Sequence, residues 1–242
     1  MTPQILIICG PTGSGKSGLA LKLAKILDTE IISADSLAIY KNLDIGTAKP
    51  TKEELNQVTH QLIDVVSPFD SFSVSDYEEL ALPHINRLIS NGKIPIICGG
   101  TGFYINSVLY KMSYGNTTEN IEIREKFFEL SKTKGVDYVW EELNKVDPET
   151  ANKLHKNDLV RVIRALEIFY ATGKKKSDQN DKEIPRYSYL AVMIDMDREV
   201  LYDRINRRVD LMVEQGVVEE TQNLLKKHGR IKNFICTKTL KF

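Results

Sequence analysis

The segment Gly10-Pro11-Thr12-Gly13-Ser14-Gly15-Lys16-Ser17 constrains this chain more than any other. It reads G-x-x-x-x-G-K-[ST] in full. It follows the continuous apolar run Ile5–Cys9 and precedes an amphipathic pattern over Gly18–Leu27, with Leu19, Leu23 and Ile26–Leu27 on one side. An unbroken apolar run suits a parallel strand buried on both faces. The glycines let the backbone curl so that several N–H groups converge on one anion. The helix that follows adds roughly half a positive charge at its N-terminus. Lys16 supplies a full charge, and the Ser17 hydroxyl can ligate Mg²⁺. Strand, loop and helix together predict a polyphosphate site without saying which polyphosphate.

The rest of the chain extends this unit. Glu30–Ser33, Gln61–Val66 and Ile94–Cys98 read as strands, and Ser75–Asn91 (with Pro83 as a candidate kink) and Phe103–Tyr110 as helices. Such alternation argues for a parallel, doubly wound sheet. The pattern changes near Ser113. Ser113–Asn120 is a polar linker, and Ile121–Thr133, Asp137–Lys145 and Asp158–Ala171 are helical with no strand between them. Gly173–Arg186 is a polar, lysine-rich connection, Tyr189–Ile194 returns to strand, and Arg198–Lys227 is helical with a break near Gly216. The expected fold is α/β: a P-loop NTPase-like parallel-sheet core, residues 1–112 and 187–242, carrying an inserted helical subdomain, residues 113–186.

Bulk charge excludes little. The 33 basic and 33 acidic side chains cancel, so any nucleic-acid surface must come from a local excess of charge. One such excess runs from Ala151 to Lys176, where Lys153, Lys156, Arg161, Arg164 and Lys174–Lys176 face only Asp158 and Glu167. Cys9, Cys98 and Cys236 fit no zinc spacing, and the first two end apolar runs before glycines, as buried strand thiols do. No apolar run reaches a membrane-spanning length and no leader pattern opens the chain, so a cytoplasmic location is expected.

Three classes fit the loop: a kinase or other NTPase, a GTP-binding switch, and a transferase with an organic diphosphate donor. Asn144-Lys145-Val146-Asp147 imitates the guanine-reading N-K-x-D sequence, but it follows a helical pattern and precedes Pro148. Chance explains it better than guanine recognition.

Other segments are more specific than the loop. Ile32-Ser33-Ala34-Asp35-Ser36-Leu37-Ala38-Ile39-Tyr40 is followed by Leu43-Asp44-Ile45-Gly46-Thr47-Ala48-Lys49-Pro50. Further on come Gly99-Gly100-Thr101-Gly102-Phe103-Tyr104, then Asn157-Asp158 with Arg161–Glu167, then Tyr202 with Arg204-Ile205, Arg208-Val209-Asp210 and Met212. In this order they resemble the tRNA dimethylallyltransferases, over roughly residues 4 to 228. The resemblance implies transfer of a dimethylallyl group from dimethylallyl diphosphate to the N6 amine of the adenosine 3′ of the anticodon. It further implies that Gly10–Ser17 hold the donor's diphosphate with Mg²⁺ on Ser17, and that Arg204 and Arg208 assist. Asp35 and Thr101 are then catalytic. Asp35, Ser36, Leu37, Ala38, Thr101, Arg124, Arg161 and Arg164 contact tRNA through the anticodon stem-loop. The expected partners are that stem-loop and the donor, with no membrane, and the expected state is a monomer.

Read from the residues alone, these roles have rivals. Asp35 could cap a helix or hold Mg²⁺, Thr101 could stabilise a turn, and Arg204 and Arg208, one helical turn apart, could be solvated. The rival functions are an adenylate isopentenyltransferase, a small-molecule kinase and a non-catalytic RNA-binding remnant. Two departures from the family pattern stand out. Val160 occupies the place of a glutamine that often precedes the position of Arg161. After about His228, Arg230–Phe242 lacks the expected glycine-tyrosine segment, as a truncated or frameshifted product would.

Overall fold

The computed structural model describes residues 2–115, 119–179 and 184–228. In chain order the elements are β1 (Ile5–Cys9), α1 (Lys16–Ile26), β2 (Ile31–Ser33), α2 (Lys52–Gln57), β3 (His60–Gln61), α3 (Val74–Ser90), β4 (Ile96–Gly99) and α4 (Gly102–Leu109). There follow α5 (Ile121–Lys134), α6 (Val136–Val146), α7 (Pro148–Lys153), α8 (Leu159–Thr172) and a 3-10 turn at Lys176–Asp178. The chain ends its described part with β5 (Tyr189–Met193), α9 (Arg198–Glu214) and α10 (Val217–His228). Two compact units result: Met1–Tyr110 with Ile184–Phe242, and Lys111–Glu183.

The first unit is built on a five-stranded parallel sheet in the order β3-β2-β4-β1-β5. Leu6 on β1 lies opposite Ile96 on β4 and Leu190 on β5. Successive side chains of a strand point to opposite faces. Ile5 and Ile7 accordingly join Tyr77, Ala81 and Ile85 of α3 and Val108 of α4 in one core. Leu6 and Ile8 join Ala20 and Ala24 of α1 in another. This two-sided burial is why β1 reads as an unbroken apolar run. The edge strand β5 is covered less, and its Leu190 and Met193 are exposed.

Two local expectations fail for physical reasons. The innermost face of α1 is Ala20 and Ala24, with Leu19 and Leu23 packed at its flanks and Ile26 77% exposed. Small residues let the helix approach the sheet, and large ones fill the margins. The third strand pairs only over His60–Gln61. Leu62 and Asp64 turn to φ 63° and 57°, which ends extended pairing, and Val66 keeps a single bridge to Tyr40. α3 runs from Val74 to Ser90 with Pro83 inside it.

The second unit has its own core of Phe127, Val139, Leu143, Ala151, Val162, Ile163, Ala165 and Leu166. Asp147 of the N-K-x-D imitation is 1% exposed and caps α7. Its carboxylate accepts the Thr150 and Ser177 N–H groups, each at 3.1 Å, so the aspartate is structural.

Glu167, fully buried on α8, ties the unit together. It accepts from Arg164 Nη1 at 2.6 Å, Arg124 Nε at 2.9 Å and the Asn120 N–H. Burial alone would raise its pKa. The hydrogen bonds from Arg164, Asn120 and Arg124 outweigh burial and hold the carboxyl below its ordinary value of 4.5. A carboxyl depressed on folding stabilises fully above its unfolded pKa and loses that contribution as pH falls through the folded one. The helical unit should therefore weaken as pH drops below 4.5. Removing one partner of a buried ion pair strands the other charges, so Glu167→Ala should cost about 3 kcal/mol in chemical denaturation. It should also flatten that acid limb, and an unchanged limb would assign the acid sensitivity elsewhere.

Candidate active site

The loop between β1 and α1 curls as its glycines require. Gly13 and Gly15 take φ 83° and 90°, and Gly15 is the N-cap of α1. α2 and α3 open with capping boxes from Thr51 and Ser73, whereas α1 has no side-chain cap. The N–H groups of its first turn are thus left for an anion. Ser14 Oγ, in the same loop, is buried without a hydrogen-bond partner. Such a group is costly unless something else satisfies it. Lys16 Nζ rests on the Pro11 carbonyl at 3.3 Å.

One face of α9 covers this loop. A Cβ added to Gly13 would lie 3.3 Å from Ile205 and 3.8 Å from Leu201, and one on Gly15 would lie 3.9 Å from the Arg204 guanidinium. Leu201, Arg204, Ile205 and Arg208 follow the i, i+3, i+4, i+7 spacing of one helical face. Arg208 lines the same pocket as Lys16, Ser17 and Asp35. Burial lowers its pKa against the opposing pull of Asp35, and a guanidinium remains charged regardless.

Asp35 follows β2, and Thr101 follows β4. Ala34 donates its N–H to the Cys98 carbonyl at 2.8 Å, and Thr101 donates its N–H to the Ala34 carbonyl at 3.1 Å. A Cβ at Gly99 would overlap the Ala34 backbone, so the strand ends meet only because residue 99 is glycine. Below them, the Tyr77 hydroxyl donates to the Ser33 carbonyl at 3.0 Å, and its ring stacks on Tyr104 at 4.0 Å. Burial pushes both tyrosine hydroxyls far up, which keeps them neutral.

Asp35 Oδ1 accepts the N–H groups of Leu37 at 2.9 Å and Ala38 at 3.3 Å, so one oxygen does cap the turn. Its second oxygen is not used there. Thr101 Oγ1 accepts the Ser36 N–H at 3.0 Å, which leaves the hydroxyl hydrogen to donate elsewhere. The turn-stabilising readings of both residues are thus real, and each keeps a polar atom to spare. Beside these groups the pocket is lined by Ala38, Ala48, Pro50 and Ile63, so a strongly charged lining and an apolar one share one cavity. Cys98 also lines it, and burial pushes its thiol up to about 11.

Comparison with known proteins places this geometry. A family model described as IPP transferase matches residues 38–240. The tRNA dimethylallyltransferase of Acetivibrio thermocellus is 48% identical over 92% of this chain and 72% of its own length. The chain belongs to the IPP transferase family. Two solved structures agree. One is the full-length tRNA isopentenylpyrophosphate transferase of Bacillus halodurans, with TM-score 0.65, 39% identity, and 96% of this chain and 73% of that one covered. The other is a eukaryotic dimethylallyltransferase acting on tRNA, with TM-score 0.79, 30% identity, and 94% and 57% covered. The match of the IPP transferase family reaches residue 240, so it takes in most of the tail that departs from the expected pattern. That tail, Arg230–Phe242 with Cys236, lies outside the described residues.

The arginines of the helical unit are placed differently from one another. Arg124 and Arg164 are spent on Glu167, and Arg164 also donates to the Tyr114 carbonyl at 2.8 Å. Arg161 is 71% exposed and pairs with Asp158 at 3.1 Å. Lys153 and Lys156 pair with Glu149 and Asp137 at the surface. Such exposed pairs contribute little to stability. Sequence reasoning gave Lys49 no role. Its side chain is 4% exposed, lines the pocket, and donates to the Tyr40 carbonyl and the Asp44 carboxylate, both at 2.7 Å, and to Asp64. A lone lysine between a glycine turn and Pro50 was the one available signal.

If the strand ends must touch, Gly99→Ala should lower stability by about 1–3 kcal/mol through overpacking. Denaturant melts of the purified variant test this, and a wild-type midpoint would show that β2 and β4 can separate freely.

Proposed function

We propose that this protein transfers the dimethylallyl group of dimethylallyl diphosphate to the N6 amine of the adenosine 3′ of a tRNA anticodon. What carries the reading is one pocket that joins a phosphate loop, a carboxylate, a half-buried arginine and an apolar lining, in a chain of the IPP transferase family. The charged part of that lining suits any polyphosphate, and the apolar part suits a hydrocarbon tail. An isoprenoid diphosphate needs both.

The chemistry follows from the residues. The adenine amine is a weak nucleophile, and diphosphate leaves well only when its charge is met. The amides of the loop, Ser14 Oγ, Lys16, Arg204 and Arg208 meet that charge. As the amine nitrogen bonds to C1 of the allyl group, the C1–O bond breaks and its electron pair leaves with the diphosphate. The amine proton passes to Asp35. An alkylated aryl ammonium is strongly acidic, so even a weakly basic carboxylate suffices as acceptor. The spare hydroxyl hydrogen of Thr101 can hold the adenine in line. The target base must leave its stack to reach Asp35. Exposed Arg161 is the stronger candidate for the tRNA backbone, and Arg124 and Arg164 act by holding the helical unit in shape.

Mg²⁺ fits the donor set. Ser17 offers a hard oxygen beside the loop, and no cluster of three ligating side chains occurs among the described residues. That suits an ion held mostly by phosphate oxygens and water. When bound, it would neutralise charge on the diphosphate. The thiols Cys9 and Cys98 are free, in keeping with a reducing cytoplasm. Among the described residues no helix is long and apolar enough to cross a membrane.

Labelled dimethylallyl diphosphate offered with an anticodon stem-loop, with AMP, or with ATP and no acceptor tests the reading. Label is expected on the stem-loop alone. Label on AMP would select the adenylate isopentenyltransferase, and ATP turnover without transfer a kinase. Asp35→Asn should lower transfer at saturating donor by about 100-fold or more while diphosphate still binds. Equal loss of binding would make Asp35 a structural residue.

A further inference from the structure

We infer that Glu220, outside the pocket, is a positioning residue that sets one wall of it and thereby limits the length of the prenyl chain accepted. The inference rests on the function proposed above.

Thr47, Ala48, Lys49 and Pro50 line the pocket from a segment with no helix or strand of its own. Such a segment keeps its shape only if its backbone groups are held from outside. Lys49 holds one end, through Tyr40, Asp44 and Asp64. The other end is held by Glu220 in the first turn of α10. Its Oε1 accepts the Asp44 N–H at 2.7 Å and the Ile45 N–H at 2.9 Å, and its Oε2 accepts the Gly46 N–H at 3.0 Å. Three successive N–H groups converging on one anion form a nest, and a carboxylate is what a nest fits. Hydrogen bonds to an ionised acceptor are roughly twice as strong as neutral ones.

The clasp is itself anchored. Val217 and Leu224 of α10 are buried, and a Cβ on Gly46 would lie 3.4 Å from the Val217 side chain. Glu220 therefore reaches the donor only through the backbone it holds. With the wall fixed, a second isoprene unit has to displace Thr47–Pro50. With the clasp released, the wall can give way. A glutamine would keep one acceptor but turn N–H against N–H at the other, so it should release the wall in part.

The test compares kcat/KM for dimethylallyl and geranyl diphosphate on the same stem-loop, in wild type, Glu220→Ala and Glu220→Gln. The ratio of the two donors cancels any difference in the fraction of folded enzyme, so a merely structural role would not move it. Discrimination against an oversized apolar group is typically about 10-fold or more. The geranyl-to-dimethylallyl ratio should therefore rise about 10-fold in Glu220→Ala and by less in Glu220→Gln. If Glu220→Ala does not fold, Glu220→Gln decides alone. A wild type that transfers dimethylallyl with a ratio unchanged in the variants overturns this inference only. A wild type that transfers neither donor overturns the proposed function and this inference with it.

Discussion

Ala34 and Gly99 meet backbone to backbone, with no side chain between the ends of β2 and β4, and the site is arranged around that contact. It places the residues that follow the two strands, Asp35 after β2 and the Gly100-Thr101 turn after β4, on one rim of the sheet. There the Ser36 N–H can reach Thr101 Oγ1. β1, hydrogen-bonded to the far side of β4, delivers the phosphate loop to the same rim. Parallel strands carry loops of one kind at one edge, and ligands collect where their carboxyl ends converge. The tyrosine stack of Tyr77 and Tyr104 then supports the contact from below with a single hydrogen bond to Ser33.

Charge is handled differently in the two units. In the pocket, Lys49 is matched by Asp44 and Asp64, but Lys16 and Arg208 are not fully neutralised: burial works against Arg208, and among the described residues Lys16 rests on a carbonyl. Such groups favour an anionic ligand because binding relieves a cost already present in the folded chain. In the helical unit, Arg124 and Arg164 both donate to one oxygen of the Glu167 carboxylate, and the Asn120 N–H meets the other. The same residue type serves recognition in one place and construction in the other, and the difference is what lies opposite each guanidinium.

Much of this was legible in the sequence. The two-sided burial of β1 is written in Ile5–Cys9, the loop in its glycines, and the face of α9 in the spacing of Leu201, Arg204, Ile205 and Arg208. The capping box of α2 could have been read from Thr51 and Glu54, although a helix of six residues gives too short a period to notice. Periodicity misjudged α1 because it weighs size, and the close approach of helix to sheet selected Ala20 and Ala24 instead. Arg124 and Arg164 could not be told from Arg161, since Glu167 is 43 residues from Arg124. Glu220 stands 174 residues from Gly46, and no local pattern reports so distant a partner.

The protonated thiol of Cys98 has a chemical consequence of its own. An allylic diphosphate is an alkylating agent, and a thiolate is a far better nucleophile than an adenine amine. A thiol with pKa about 11 is ionised in roughly one molecule in ten thousand at neutral pH. By burying this sulfur on β4, between β1 and β2, the fold keeps a strong nucleophile silent in the lining of the pocket. On the proposed function, this spares the protein from alkylation by the donor.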